Sequence, residues 1–224
     1  MNDRQMSADD LLTTTRSVRR RLDLERAVPL ELVRDCVRIA LQAPTGGNSQ
    51  VAHFVVVADA GKRAQLAGIY RRVWVGYRKA ENSVYARAAN EPPGPRREQL
   101  QRVAESADFL VENLHRVPLH VVPCIEGRLG TTPPGPFANV ANASTYGSVL
   151  PAAWSFMLAA RVRGLGCAWT TAHLACEQEA AGVLGIPYEK ITQVALLPTA
   201  YYSGETFRQA ARRPLEETLH VDSW

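Results

Sequence analysis

Residues 29–57 read PLELVRDCVRIALQAPTGGNSQVAHFVVV. Proline is pre-set for a first helical turn, so Pro29 opens a helix. Leu32, Val33, Cys36, Val37, Ala40 and Leu41 then recur at helical spacing and make one apolar stripe. Pro44 ends that helix, and Pro44 to Gln50 is a turn-rich loop offering amide and hydroxyl groups. Phe54-Val55-Val56-Val57 follows as a short apolar run of β-branched and aromatic residues, which reads as a buried strand. Helix, loop and strand in succession predict a helix laid against a sheet.

The rest of the chain extends this layout. Ser7 caps a first helix, with Asp9 and Asp10 favourable in its opening turn, and that helix runs to about Ser17. The arginine cluster Arg16, Arg19, Arg20 and Arg21 then falls at or beyond its end. A long helix covers Gly61 to Arg78 and extends past Tyr85. Pro92-Pro93-Gly94-Pro95 breaks the chain, and Arg97 to Arg116 resumes as a helix. Leu119 to Ile125 is a second strand. Gly127 to Gly147 lacks periodicity and reads as a loop, and with the region of Tyr85 to Pro95 it is a lid candidate. Leu150 to Arg163 is an apolar helix ended by Gly164 and Gly166, with a short strand over Cys167 to Thr170. A helix from Glu177 to Leu184, a turn at Gly185-Ile186-Pro187 and a strand from Gln193 to Leu197 complete the series. The tail from Thr206 carries Arg208, Arg212 and Arg213 and ends at Trp224. With no internal repeat and no long linker, residues 1–224 read as a single α+β domain, a sheet of four to five strands flanked by helices. A tryptophan at the very end of an exposed tail predicts that the tail packs on something, a partner subunit being the natural choice.

Composition narrows the function classes. The chain is 46% hydrophobic and 21% charged, with a formal net charge of +4, ordinary for a globular domain. The N-terminus has no apolar signal region and no run of about 18 apolar residues occurs, so neither export nor a membrane span is expected, and the location expected is cytoplasmic. The arginine run has three readings: a solvated helix face, a phosphate site matched by guanidinium forks, or a nucleic-acid surface. The last ranks lowest, because no interleaved aromatic pattern accompanies it, and no nucleic-acid partner is expected. None of the four cysteines forms a C-x-x-C pair, and Cys36 and Cys167 read as small core residues. The spacing of His115 and His120 fits no metal motif, and no metal ligand set is assigned. Gly164-Leu165-Gly166 lacks the third glycine of a dinucleotide fingerprint and runs from helix to strand, the wrong way round. No phosphate-binding P-loop, nucleophile elbow or catalytic triad is present, so no catalytic side chain is assigned.

Three separated segments each look suited to one ligand. Arg16-Ser17-Val18-Arg19 brings two guanidiniums and a hydroxyl, Pro44 to Gln50 brings turn amides and hydroxyls, and Arg212-Arg213 brings two more cations before Pro214. Singly they are solvated charges, a plain turn and a basic tail. Together, in this order, they resemble the nitroreductase family. Thr15-Arg16-Ser17-Val18-Arg19 is similar to an Arg-Arg-Ser-x-Arg element after the first helix. Ala43 to Ala52 is similar to Ala-Pro-Ser-x-x-Asn-x-Gln-Pro-Trp, and Gly164 to Thr171 to a Gly-Leu-Gly element leading into a flavin-contacting turn. Leu184 to Pro187, a Leu-Leu-Pro strand and Arg212 to Glu217 follow in the family's sequence.

That resemblance implies a nitroreductase-like fold with a central mixed sheet, an intertwined homodimer, and FMN bound at its interface. It implies that Arg16, Arg19 and Arg212, aided by Arg213, neutralise the FMN phosphate, with Ser17 on the phosphate or ribityl chain. Pro44, Thr45 and Asn48 would come from the second protomer, with Gln50 a further contact. Trp169, Thr170 and Thr171 would line the isoalloxazine, with backbone amides near its redox-active edge. The implied activity is ping-pong hydride transfer from NAD(P)H through FMN to an electron-poor acceptor such as a nitroaromatic, quinone or activated alkene. Deazaflavin-linked, dehalogenating and flavin-cleaving reactions, or a non-catalytic flavin-binding role, are the alternatives, and no dehalogenase-type lid is identified. Three departures stand out: Thr15 replaces an arginine, Thr45 keeps the hydroxyl of the usual serine, and Val51-Ala52 replaces Pro-Trp.

Overall fold

The structure is a computed structural model that describes residues 6–129, 135–205 and 207–224. Ser7 accepts a hydrogen bond from the Asp10 amide at 3.1 Å and caps α1 (Ala8–Thr14). That helix stops three residues short of Ser17, and the segment 15–23 runs beside the sheet with a turn at Arg20 and Arg21, closed by the Leu22 amide on the Arg19 carbonyl. α2 (Leu30–Ala40) starts just after Pro29 and buries Val33, Cys36 and Ala40, the stripe read from sequence. A one-turn 3-10 helix at Gly46–Asn48 leads to β1 (Ala52–Val57).

α3 (Ala60–Lys79) ends before Tyr85 instead of running past it. Ser83 caps a separate helix, α4 (Val84–Asn90), by accepting from the Ala86 amide, and the Tyr77 hydroxyl accepts from the Val84 amide at 3.0 Å. α5 (Pro95–Asn113) closes in a 3-10 turn at Leu114–Arg116 and delivers the chain to β2 (Leu119–Glu126).

The loop expected over Gly127 to Gly147 is corrected. Residues 130–134 lie outside the described residues, and Pro136 already opens α6 (Pro136–Val162) as its first-turn proline. The first turns of α6 carry no apolar stripe because Phe137, Val140 and Tyr146 are exposed, so their periodicity is mute in the sequence. β3 (Leu165–Cys167), α7 (Glu177–Leu184), β4 (Ile191–Gln193) and β5 (Leu197–Tyr201) complete the domain.

The sheet order is β1-β2-β5-β3, with β4 also on β2. Every pairing among the described residues is antiparallel, which corrects the expected mixed sheet. Long helical crossovers can be read from a sequence, but they do not fix strand direction. The final strand expected over Gln193 to Leu197 is split in two. Its register on β2 shifts by one residue between Cys124↔Gln193 and Val121↔Leu197, which marks a bulge. Pro123 has no N–H to give and only accepts, from the Val194 amide at 3.0 Å, so the ladder breaks where its donor is missing.

Strand alternation then builds two cores. Val122 and Cys124 of β2 face Leu110, Leu114, Ala67 and Tyr70 from α5, its 3-10 turn and α3. Leu119 and Val121 face Phe156, Met157 and Ala160 of α6 with Val33 and Cys36 of α2. Helices thus cover both faces, and Cys36 and Cys167 are buried packing residues, as their surroundings predicted. No helix among the described residues is long and apolar enough to cross a membrane.

Candidate functional site

Segment 15–23 lies along the edge of the sheet beside β3 and β5. The Val18 amide donates to the Cys167 carbonyl at 2.8 Å, and the Asp23 amide to Tyr201 at 2.7 Å. This contact is close because of Gly166: a Cβ there would sit 3.0 Å from Cβ of Val18. The second glycine of Gly164-Leu165-Gly166 therefore sets how near the arginine segment approaches the sheet.

The Trp169 amide donates to Ser17 Oγ at 2.9 Å, which joins the first and third sequence segments directly. Thr170 exchanges backbone bonds with Leu196, and its hydroxyl meets the buried Tyr70 hydroxyl at 2.7 Å. Two of the three amides expected at a flavin edge are thus already used inside the protein, one by Ser17 and one by Leu196. Among the described residues no such bond takes the amide of Thr171, which is exposed.

The cations differ in surroundings. Arg16 donates to the Arg208 carbonyl, and its Nε is buried without a partner. Arg19 is half-buried; burial holds its guanidinium below the usual arginine range, while Tyr70 acts the other way. Burial raises the Tyr70 phenol, with the Thr170 hydrogen bond and the Arg19 charge opposing it. No carboxylate pairs with Arg16 or Arg19 among the described residues. An anion with several acceptor oxygens supplies what such a pair lacks, so the residues present fit the phosphate of a flavin nucleotide.

Loop 44–50 stands apart in this single chain. Its Gly46 amide donates to Ser148 Oγ of α6 at 2.9 Å, and the Gln50 amide donates to Thr45 Oγ1 at 3.1 Å. Gly47, Asn48 and Gln50 all have positive φ, between 52° and 59°. Asparagine tolerates that region but glutamine is seldom found in it, so backbone strain is concentrated on two of the residues singled out from the sequence. Pro44, Asn48 and Gln50 are exposed and Thr45 half-buried; their hydrogen bonds do not reach Arg16–Arg19 or Trp169–Thr171. Arg212 and Arg213 are exposed as well, and among the described residues the Arg212 guanidinium bonds the neighbouring Ala211 carbonyl alone.

The sequence reading missed Tyr70 and Arg161. Tyr70 lies on the buried stripe of α3 and reads as core. Arg161 is the sole charged residue of α6, a signal that an otherwise apolar helix provides plainly.

A search of curated proteins returns no match. Among solved structures, the chain is similar to oxidized iodotyrosine deiodinase bound to FMN and 3-iodo-L-tyrosine, at 20% identity over 96% of this chain and 98% of that one, with a TM-score of 0.69. It is also similar to a BluB-like flavoprotein from Clostridium difficile 630, at 18% identity over 97% and 100% of the two chains and a TM-score of 0.67. A third is a mutant of an FMN and NADPH-dependent nitroreductase derived from Sphigopyxis sp. strain HMH, at 20% identity, 97% and 100% coverage and a TM-score of 0.65. These likenesses concern the fold. The nitroreductase family model matches residues 12–201, so the arginine segment, the strained loop and the Trp169–Thr171 turn all lie within the match, and the chain belongs to the nitroreductase family.

Proposed function

We propose that this protein is an FMN-dependent oxidoreductase that takes reducing equivalents from NAD(P)H and passes them to an electron-poor acceptor, a nitroaromatic, quinone or activated alkene. The carrying observation is the junction of Arg16, Ser17 and Arg19 with Trp169 and Thr170, where Arg16 Nε is buried unbonded and Arg19 meets no carboxylate among the described residues. Arg16 and Arg19 would hold the phosphate and its neighbourhood. Arg212 and Arg213 would reach it from the tail. Ser17 keeps the Trp169 turn fixed against the arginine segment, and Tyr70 orients the Thr170 hydroxyl. Bound there, FMN would supply the redox chemistry, so no nucleophilic side chain is needed.

The same reading includes a homodimer. Leu215, Leu219, Val221 and Trp224 project from the tail with more than half their surface exposed. A groove of about 490 Å³ between α2 and β1, lined by Leu30, Val33, Val37, Leu41, Phe54 and Val56, is mostly apolar. A second copy of the chain would cover both surfaces and carry loop 44–50 towards the other protomer's arginines, which its own chain does not contact.

The test is the absorption spectrum of the purified protein with FMN, before and after anaerobic NADH or NADPH. Bleaching, followed by recovery on adding a nitroaromatic or quinone, is the expected result. Bound flavin that neither nicotinamide reduces refutes the NAD(P)H-linked reaction and leaves a flavin-binding role. Absence of flavin binding overturns the proposal.

A further inference from the structure

Thr171 leads into a short 3-10 helix at Ala172–Cys176, and its carbonyl accepts from the Leu174 amide at 3.0 Å. The two residues before it are tied elsewhere: the Trp169 amide bonds Ser17, and Thr170 bonds Leu196 and Tyr70. The exposed Thr171 amide has no tie of that kind among the described residues, so its placement depends on what holds the helix that follows. Ala172, Leu174 and Cys176 are covered only in part, whereas His173 is wholly inside. The one fully buried side chain of this segment is thus an imidazole, where leucine would fill space with no polar atom to satisfy.

His173 lies beside the Gln193 side chain of β4, and within electrostatic reach of Glu177 of α7 and His120 of β2. The bonds these neighbours already make decide what they have left. His120 Nε2 is 2.9 Å from the Leu114 carbonyl and donates to it, so Nδ1 of the neutral ring is an acceptor. Gln193 Nε2 donates to the Glu177 carbonyl at 3.0 Å, which leaves Oε1 as an acceptor. Both acceptors and both nitrogens of His173 are buried without a bonded partner. A neutral His173 brings the N–H that Gln193 Oε1 lacks. The anchorage continues outward, because the Gln193 amide donates to Glu177 Oε1 at 2.8 Å and Glu177 holds Arg128 at 2.8 and 2.9 Å. The other charges nearby are Arg63 of α3, on the His120 side, and the exposed Arg72–Glu179 pair near Cys176.

We propose that His173 is a positioning residue for the flavin turn: its neutral imidazole, set against Gln193 and His120, pegs the 3-10 helix to the sheet and so fixes the Thr171 amide. The role towards flavin rests on the flavoprotein reading above; the peg itself does not. An imidazolium here would be a buried charge, and the nearest carboxylate, Glu177, is already held by Arg128. Protonation therefore withdraws the peg. Burial lowers the ring from 6.5 to about 4, with Glu177 and Gln193 opposing. The closed segment is favoured in full above the ordinary value, and that preference is lost as pH falls through the interval. At pH 5.0 the ratio of open to closed segment stands about 30-fold above its value at pH 7.5.

The test uses the full chain as wild type, His173→Gln, His173→Leu and Leu100→Ala, the last a destabilised comparator in the separate cluster between α4 and α5. Amide hydrogen exchange of residues 169–176 is followed at pH 7.5 and 5.0, corrected for the intrinsic pH dependence of exchange. FMN affinity is read at pH 7.5 by quenching of flavin fluorescence. Wild type is expected to open at residues 171–176 about 30-fold more at pH 5.0. His173→Gln keeps an N–H for Gln193 but does not titrate, so its opening should change by no more than about three-fold. FMN should bind about 10-fold more weakly to His173→Leu and within about three-fold of wild type to His173→Gln. Equal pH responses in wild type and His173→Gln, or opening shared at the same rate by the β2 amides, overturn the peg. So does opening at pH 7.5 that is as large in Leu100→Ala as in His173→Leu. An opened segment in His173→Leu with unchanged FMN affinity overturns the role towards flavin. If His173→Leu does not fold, the pH comparison of wild type with His173→Gln still decides the peg. If wild type binds no FMN while its pH response is present and that of His173→Gln is absent, the peg stands and the flavin reading falls.

Discussion

His120 and His173 are fully buried and sit close enough to interact. His120 Nε2 lies 2.9 Å from the Leu114 carbonyl, while its Nδ1 and both nitrogens of His173 are buried unbonded, as is Oε1 of Gln193 beside them. Burial dominates both rings and lowers each from 6.5 to about 4; Arg63 adds to the effect on His120, whereas Glu177 opposes it for His173. The unfolded chain therefore binds protons between about pH 6.5 and 4 that the folded chain refuses. Stability is fully present above the unfolded value and is lost as pH falls through that window. At pH 5, with one ring 1.5 units below its unfolded value and one unit above its folded value, linkage gives a loss of about 2 kcal/mol per histidine. Two histidines together remove roughly 4 kcal/mol, a large share of a typical folding free energy of about 5–15 kcal/mol. The perturbation is His173→Leu, which keeps side-chain bulk and removes the ring from beside the Gln193 side chain. Urea unfolding at pH 7.5 and 5.0 reads the result: the wild type should lose about 4 kcal/mol between the two, and the variant about half of that. Glu177, whose carboxylate is held below its ordinary range by Arg128 and the Gln193 amide despite burial, is present in both proteins. An equal acid loss in variant and wild type would refute the reasoning.

Three further outcomes follow from the same geometry. Arg19→Gln should weaken FMN binding by about 10- to 100-fold, measured by flavin fluorescence, because a charge-assisted contact contributes about 1.5–3 kcal/mol; affinity within two-fold of wild type contradicts its place in the site. Glu177→Gln breaks the charge pair that Arg128 makes through two nitrogens at 2.8 and 2.9 Å at a largely buried site, and should cost about 3–5 kcal/mol in urea unfolding. Gly166→Ala places a methyl 3.0 Å from Val18 and should cost about 1–3 kcal/mol, with Val18→Ala in the same chain restoring much of it; the absence of rescue would mean that this contact does not limit the approach.

Legibility in the sequence followed the reach of each physical signal. α2, the loop after it and β1 could be read because a 3.6-residue stripe gives way to a proline, then to a run of β-branched residues, all local facts. The break between α3 and α4 was missed because Tyr77 and Ser83 each act once, by accepting the Val84 and Ala86 amides, and neither disturbs the apolar pattern. The start of α6 was missed for the opposite reason: Phe137 and Val140 are 78% and 62% exposed, so apolar residues there mark no core-facing stripe. The antiparallel sheet and the bulge opposite Pro123 are properties of pairing, and a sequence states a strand without stating its neighbour.

The candidate site divides along the same line. Ser17 and Trp169 lie 152 positions apart, yet both belong to motifs whose order along the chain could be read. Tyr70 and Arg161 belong to none. Arg161 can still be singled out, since an apolar helix that keeps one arginine must give that charge either water or a partner. The structure gives it neither: it is buried, stacked beside Phe207 and Tyr202 and next to a second arginine. Arg128, by contrast, meets a carboxylate through two hydrogen bonds. The positive-φ backbone at Asn48 and Gln50 and the exposed tail are equally silent in residue spacing, because one is a backbone conformation and the other a lack of contacts within the chain.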